Sequence, residues 1–239
     1  MAGLVGVVAL GWAYLLAGAG IDMSMVGMAM EPMPWTLSHI LLTFAMWSIM
    51  MIAMMLPSAA PMVLLFTTIK RKDEVSSTPA VGAGIFLAGY LVVWAAFSLA
   101  ATLAQCGLER TGLVSMGITS GSATFIGAIL LCAGLYQLTP LKTACLRFCQ
   151  SPVLFLSSHW RAGAVGAFRM GVVHGAYCLG CCWFLMALLF VGGVMNPIWV
   201  AGIAIYVALE KMLPIGPWLS RTAGATIAVL GAFVLIRAI

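Results

Sequence analysis

Long apolar segments with almost no charge are the feature that most limits the folds open to this chain. Of its 239 residues only 11 are basic and 6 are acidic, a 7% charged share, whereas soluble domains carry about 25%. So few charges cannot cover the surface of a soluble protein. We therefore expect an all-α fold, a polytopic transmembrane helical bundle with six or seven spans in one membrane domain over residues 1–239. The apolar runs lie near residues 3–20, 37–66, 80–104, 119–139, 165–194, 196–213 and 218–238.

The same charge pattern excludes several classes of function. The net charge is +5, but the basic residues do not form one large stripe, so we expect no nucleic-acid partner. We find no paired carboxylates within the apolar runs, no nucleophile–base pattern and no nucleotide-binding glycine loop. We therefore expect a protein that is not an enzyme and whose surroundings are the lipid bilayer.

Two features of the apolar runs leave the span count open. The first run has small residues at Ala17 and Ala19 that permit signal-peptide cleavage, but it lacks a positively charged start. Cleavage would leave six spans, and retention would give seven. The second run is too long for one straight crossing, and we expect Pro57 and Pro61 to break or kink it.

The basic residues predict the orientation of the chain. They cluster in segments 70–79 and 140–164, whereas loop 21–36 has Asp22 and Glu31 but no Lys or Arg. Because basic residues concentrate on the cytoplasmic side, we expect 70–79 and 140–164 to be inner loops and 21–36 to be extracytoplasmic. The membrane that fits is a bacterial inner (cytoplasmic) membrane, crossed several times.

Loop 21–36 is unusually rich in methionine. Thioethers are soft, neutral donors that suit Cu(I), and they do not form disulfides outside the cytoplasm. The loop is therefore a secondary candidate for metal capture, and the alternative is an interfacial apolar loop that happens to use methionine. The candidate donors are Met23, Met25, Met28 and Met30.

A second group of soft donors lies within the apolar runs. Met50 and Met54 belong to a methionine stripe on one side of the second run, and a cysteine-rich helix face lies in the fifth. Helical spacing puts the fifth-run donors on one face, and their depth in a bilayer overlaps that of the methionines. The pattern predicts a metal site, while packing alone would also explain the methionines. The fifth-run donors are His174, Cys178, Cys181 and Cys182.

Three further residues are secondary candidates as metal ligands. Cys145 and Cys149 are four residues apart, so a helix would put both on one face, where they would bind a soft metal or act as redox thiols. Glu210 lies near the inner end of the sixth run. It is a candidate ligand, a proton acceptor, or the ion-pair partner of Arg169 or Lys211.

Several short motifs together resemble a known family. The chain is similar to a bacterial family of predicted metal-binding integral membrane proteins, some of which are described as copper chaperones for tyrosinase-type polyphenol oxidases. The resemblance covers roughly residues 46–214 and implies metal binding, with copper as the expected metal; the methionine loop is outside it. The motifs are Met46-Trp47, Met50-Met51, Ala53-Met54-Met55-Leu56-Pro57, Tyr136-Gln137-Leu138-Thr139-Pro140-Leu141-Lys142, Gly180-Cys181-Cys182-Trp183 and Glu210-Lys211.

Three functions remain open at this point. The first is a copper-handling chaperone that binds Cu(I) through the soft donors and supplies a copper-dependent enzyme. The second is a thiol–disulfide relay, because Cys178-x-x-Cys181 has redox-motif spacing and Cys145 and Cys149 would pass electrons from inside. The third is a non-catalytic accessory subunit of a membrane enzyme complex, whose methionine and small-residue faces would pack against partner helices.

Overall fold

The predicted all-α class is confirmed by a computed structural model, which describes residues 2–17, 35–72, 79–112, 122–194 and 196–238. Over these ranges the regular elements are α-helices and no strand occurs. They are α1 (Ala2–Leu16), α2 (Leu37–Lys72), α3 (Pro79–Arg110), α4 (Ala123–Gln137), α5 (Pro140–Gln150), α6 (Pro152–His159), α7 (Gly163–Ala187), α8 (Leu189–Gly192), α9 (Pro197–Met212) and α10 (Gly216–Ala238).

The number of helices that can cross a membrane is smaller than expected. Among the described residues four stretches are long and apolar enough, namely α2, α3, α7 together with α8, and α10. Helices α4 and α5 meet at a bend of 65°, and they make a fifth crossing if the bent pair is counted as a single span. The first and sixth apolar runs form helices of only 15 and 16 residues, short of the roughly 20 residues that a straight crossing needs. The six or seven spans are therefore not confirmed; the structure supports four or five.

Helix α2 does not break at its prolines. It continues as one helix through Pro57 and Pro61 to Lys72. A proline removes one backbone donor and disturbs the preceding turn. Two hydroxyl groups form hydrogen bonds to the backbone in this turn. Ser58 and Tyr90 both donate to the carbonyl oxygen of Met55, at 2.8 and 3.3 Å. Of the break or kink that we expected here, the break is therefore absent, and the methionine stripe stays on one continuous helix.

Glycines allow α3 and α7 to pack at very short range. A Cβ added at Gly171 would lie 1.9 Å from the carbonyl oxygen of Phe86, and one added at Gly89 would lie 2.2 Å from that of Phe168. Any side chain at these positions would push the two helices apart, as expected where small residues form a helix interface. This contact fixes the position of the cysteine face of α7 relative to α3.

Segment 140–164 is largely helical rather than the loop that we expected. Thr139 caps α5 by accepting from the backbone N–H of Lys142, and Ser151 caps α6 in the same way at Leu154. Each helix has a proline in its first turn, a position where the missing donor costs nothing. Helix α5 then packs against α7 and α9, which buries Leu146 and carries the α5 cysteines toward those of α7.

Candidate metal centre

The two halves of the predicted constellation lie in one buried core. Helix α2 contributes a methionine face and α7 contributes a cysteine face, and all of these side chains are almost fully buried. The partly buried Cys145 and Cys149 of α5 pack against the same core. The core is thus lined with sulfur from three helices. Its α2 and α7 sulfurs belong to Met46, Met50, Met51, Met54, Met55, Cys178, Cys181 and Cys182.

Three of these sulfurs converge on a single point. The ammonium of Lys211, which comes from α9, donates to Cys178 Sγ at 2.9 Å. The same nitrogen lies 3.8 Å from Cys182 Sγ and 3.8 Å from Met55 Sδ. Lys211 is only 4% exposed, so this contact is remote from solvent. We call the set of Cys178, Cys182 and Met55 the sulfur triad.

Tyr90 is a member of the site that sequence reasoning missed. Its hydroxyl lies 3.1 Å from Cys178 Sγ, and it is 1% exposed. The only signal in the sequence is that a tyrosine within an apolar span needs a hydrogen-bond partner. Met55 was also absent from the predicted donors, because the stripe was represented by Met50 and Met54. Both of those are buried in the same core, but Met55 is the methionine that reaches Lys211.

A second sulfur contact joins α5 to α7. Cys149 Sγ lies 3.9 Å from Cys181 Sγ, and all seven cysteines of the chain are free thiols. Cys145 lies against Gly180, where an added Cβ would be 2.9 Å from its sulfur. On the predicted face of α7, Cys178 and Cys182 contact the ammonium of Lys211, and Cys181 contacts Cys149 of α5.

His174 lies one turn before Cys178 and is surrounded by rings. Its imidazole centre is 5.1 Å from Phe155, 5.8 Å from Tyr90 and 6.0 Å from Phe86. The side chain is 3% exposed, and Nδ1 has no hydrogen-bond partner. A buried nitrogen without a partner is unusual, and this nitrogen is the observation that keeps His174 among the proposed donors.

Glu210 forms a buried ion pair, but with a lysine that we did not predict. Its Oε1 accepts from Lys142 Nζ at 2.5 Å, and both side chains are at most 1% exposed. Tyr206 also donates to Oε1, at 3.4 Å, while Oε2 has no partner. The predicted partners, Arg169 and Lys211, are wrong because α5 folds back against α9 and supplies Lys142. Lys211, the next residue on α9, points about 100° away, toward the sulfurs.

The donor chemistry of the triad fits a soft monovalent cation. Within the described ranges, no three His, Cys, Asp or Glu side chains come together as a metal shell. A shell at this point therefore requires a methionine, and Met55 is the one in place. Two thiols and a thioether form a soft set that suits Cu(I), whereas structural zinc sites use four Cys or His ligands. The candidate loop donors Met23, Met25, Met28 and Met30 lie outside the described residues.

Comparison with known proteins agrees with this chemistry. Residues 44–234 match the copper chaperone family PpoB2. The match covers most of the chain and includes the sulfur triad, Tyr90, Lys211 and the Lys142–Glu210 pair. Neither a search of curated proteins nor a search of solved structures returned a match. The match confirms the family resemblance that the motifs indicated, and the chain belongs to the PpoB2 family of copper chaperones.

Proposed function

We propose that this protein is a membrane-embedded copper chaperone that holds Cu(I) in its buried sulfur core and supplies it to a copper-dependent enzyme. Family membership supports copper handling, and a chaperone of this family implies a copper enzyme such as a polyphenol oxidase as the client. The observation that carries the proposal is the convergence of the sulfur triad on one buried point. The role is binding and transfer, without catalysis.

The surface of the helices supports placement in a bilayer. Large apolar side chains are exposed on several helices, such as Leu37 at 72%, Ile198 at 83% and Ile236 at 75%. Exposure of so many large apolar side chains is unfavourable in water and favourable against lipid. We propose a bacterial inner membrane with loop 21–36 outside and segment 70–79 inside.

Each donor has a proposed part in holding or passing the ion. Cys178 and Cys182 supply thiolates, and Met55 supplies a neutral thioether, so the ligands offset the charge of a cation in a dry core. Cys149 and Cys181 offer the next pair of sulfurs, 3.9 Å apart, on the α5 side. Stepwise exchange between neighbouring sulfurs would move the ion without a hydrated intermediate. Additional proposed donors are Met50, Met54 and His174 in the core, with Cys145 and Glu210 on the α5 side and Met23, Met25, Met28 and Met30 for capture outside.

The decisive experiment removes the thiols of the triad. We expect the double variant Cys178→Ser/Cys182→Ser to lose tight Cu(I) binding, because hydroxyl oxygens are hard donors that bind soft copper poorly. Affinity would be measured anaerobically in detergent by competition with a chromophoric Cu(I) chelator. The matched control is Cys106→Ser/Cys132→Ser, which removes two thiols from α3 and α4. Unchanged stoichiometry and affinity in the first variant would refute the site.

One observation favours a second candidate function, a thiol–disulfide relay. Cys149 and Cys181 have their sulfurs 3.9 Å apart on different helices, and a disulfide would need about 2.05 Å. This pair differs from Cys178-x-x-Cys181, on which the sequence pattern relied. The relay requires a reversible disulfide, seen as a change in alkylated mass with and without reductant that disappears in Cys149→Ser/Cys181→Ser. An alkylation pattern that never responds to redox state would eliminate the relay.

A further inference from the structure

Lys211 is a buried charged residue that has no part so far in the proposed copper site. Over the described ranges, the buried side chains of Lys, Arg, Asp and Glu are Lys142, Glu210 and Lys211. Lys142 and Glu210 neutralise each other at 2.5 Å. The ammonium of Lys211 instead has the sulfur triad as its hydrogen-bonding surroundings and has no carboxylate among its described partners. One positive charge therefore stands beside the proposed donors.

The net charge of the sulfur triad and Lys211 follows from their side chains. Cysteine binds metal as thiolate, so Cys178 and Cys182 contribute two negative charges and the thioether of Met55 contributes none. The ammonium of Lys211 reduces the total to one negative charge. A monovalent cation makes the loaded site neutral, whereas a divalent cation leaves one positive charge in excess. Such an excess is costly in a dry interior, where charges are weakly screened.

We infer that Lys211 is a specificity-determining residue, which reserves the sulfur triad for a soft monovalent cation and against divalent ones. The inference rests on the proposed function, because it takes the triad as the metal ligands. It adds a role for a residue that is itself no ligand. The flexible four-carbon stem of lysine lets the ammonium withdraw from the centre of the triad while still donating to the thiolates.

The test compares one monovalent and one divalent soft ion in the full-length protein. Ag(I) serves as a monovalent probe that does not change oxidation state, and Cd(II) serves as the divalent probe. Affinities would be measured anaerobically in detergent by chelator competition. In Lys211→Met, Ag(I) should bind more weakly and Cd(II) more tightly, so the Ag(I)-to-Cd(II) affinity ratio should fall at least about tenfold.

Two control variants isolate the effect of charge. Lys211→Arg keeps the positive charge, and its affinity ratio should stay close to that of the wild type. Arg169→Met removes a positive charge from an exposed position of α7, where solvent screens it, and it should also leave the ratio unchanged. Lys211→Gln repeats the charge removal with a polar side chain, and it takes the place of Lys211→Met if that variant does not fold.

The outcomes separate this inference from the proposed function. An unchanged ratio in Lys211→Met, with tight Ag(I) binding kept, overturns the inference alone. Tighter Ag(I) binding in that variant also overturns it, because the ammonium would then be a competitor for the sulfurs. If the wild type binds no Ag(I) or Cu(I), or if Cys178→Ser/Cys182→Ser binds either ion as the wild type does, it is the proposed function that fails.

Discussion

Among the side chains that the structure describes, two lysines are buried, and one contacts a carboxylate whereas the other contacts sulfur. Lys142 on α5 is 1% exposed and pairs with a carboxylate, while Lys211 on α9 is 4% exposed and contacts sulfur. The charges of Lys142 and Glu210 cancel each other. The charge of Lys211 has no such partner among the described residues, and the thiols that surround it are proposed to bind a cation. The same residue type therefore neutralises a carboxylate at one point and lies beside the proposed metal donors at the other.

Helix α9 brings these two environments together. Glu210 and Lys211 are consecutive, so their side chains leave the helix in different directions, one toward α5 and the other toward α7 and α2. Gln150 strengthens the α5 side by donating from Nε2 to the carbonyl oxygen of Glu210 at 2.8 Å. A change at either residue should therefore affect one environment more than the other.

The largest expected effect is on the stability of the bundle, and we expect it at Lys142. Lys142→Met leaves the buried carboxylate of Glu210 unpaired, so we expect it to lower the free energy of unfolding by about 3–5 kcal/mol. Lys211→Met replaces an ammonium that has no carboxylate partner with an apolar side chain of similar length. Its effect should stay within about 1 kcal/mol, since the thiols can remain neutral. Unfolding in mixed SDS and detergent micelles, followed by circular dichroism, measures both.

Equal losses in the two variants would contradict the comparison. The double variant Lys142→Met/Glu210→Gln supplies the control, because it removes both members of the pair. It should recover part of the stability lost in the single variant, as expected when no buried charge is left alone.

A smaller effect is expected at the thioether of the triad. Met55→Leu conserves volume and should fold normally, but it removes a soft donor, so we expect Cu(I) affinity to fall about tenfold. Met62→Leu is the matched control, because Met62 is also buried on α2 but lies in a second core with Phe66 and Phe86. The same chelator competition measures both variants. A larger loss in Met50→Leu or Met54→Leu than in Met55→Leu would place the ion elsewhere in the methionine stripe.

The smallest expected effect is at Tyr90. Tyr90→Phe keeps the ring and removes the hydroxyl that lies 3.1 Å from Cys178 Sγ. One hydrogen bond contributes about 1 kcal/mol, so we expect Cu(I) affinity to change by about fivefold. Competition titration under anaerobic conditions measures the change. No change at all would show that the hydroxyl serves only the carbonyl of Met55, to which it donates.

The helices and the chemistry of the core could be predicted from the sequence. Apolar runs with so little charge can satisfy their backbone groups only as helices or closed barrels, and their length and composition favoured helices. The spacing of Met50 and Met54, and of Cys178, Cys181 and Cys182, placed soft donors on helix faces, because helical periodicity is local. The family resemblance likewise depended on local motifs, and the match over residues 44–234 confirmed it.

The pairing of distant residues was decided by the tertiary structure alone. Periodicity says which residues share a face, but it does not say which helix that face meets or how a chain bends between helices. The 65° bend between α4 and α5 brings Lys142 into contact with Glu210, and Cys149 into contact with Cys181. The glycine contact between α3 and α7 carried Tyr90 to Cys178. The sequence thus predicted which sulfurs share a helix face, because helical spacing is local. Their convergence on Lys211 depended on the packing of three helices, which the sequence pattern does not specify.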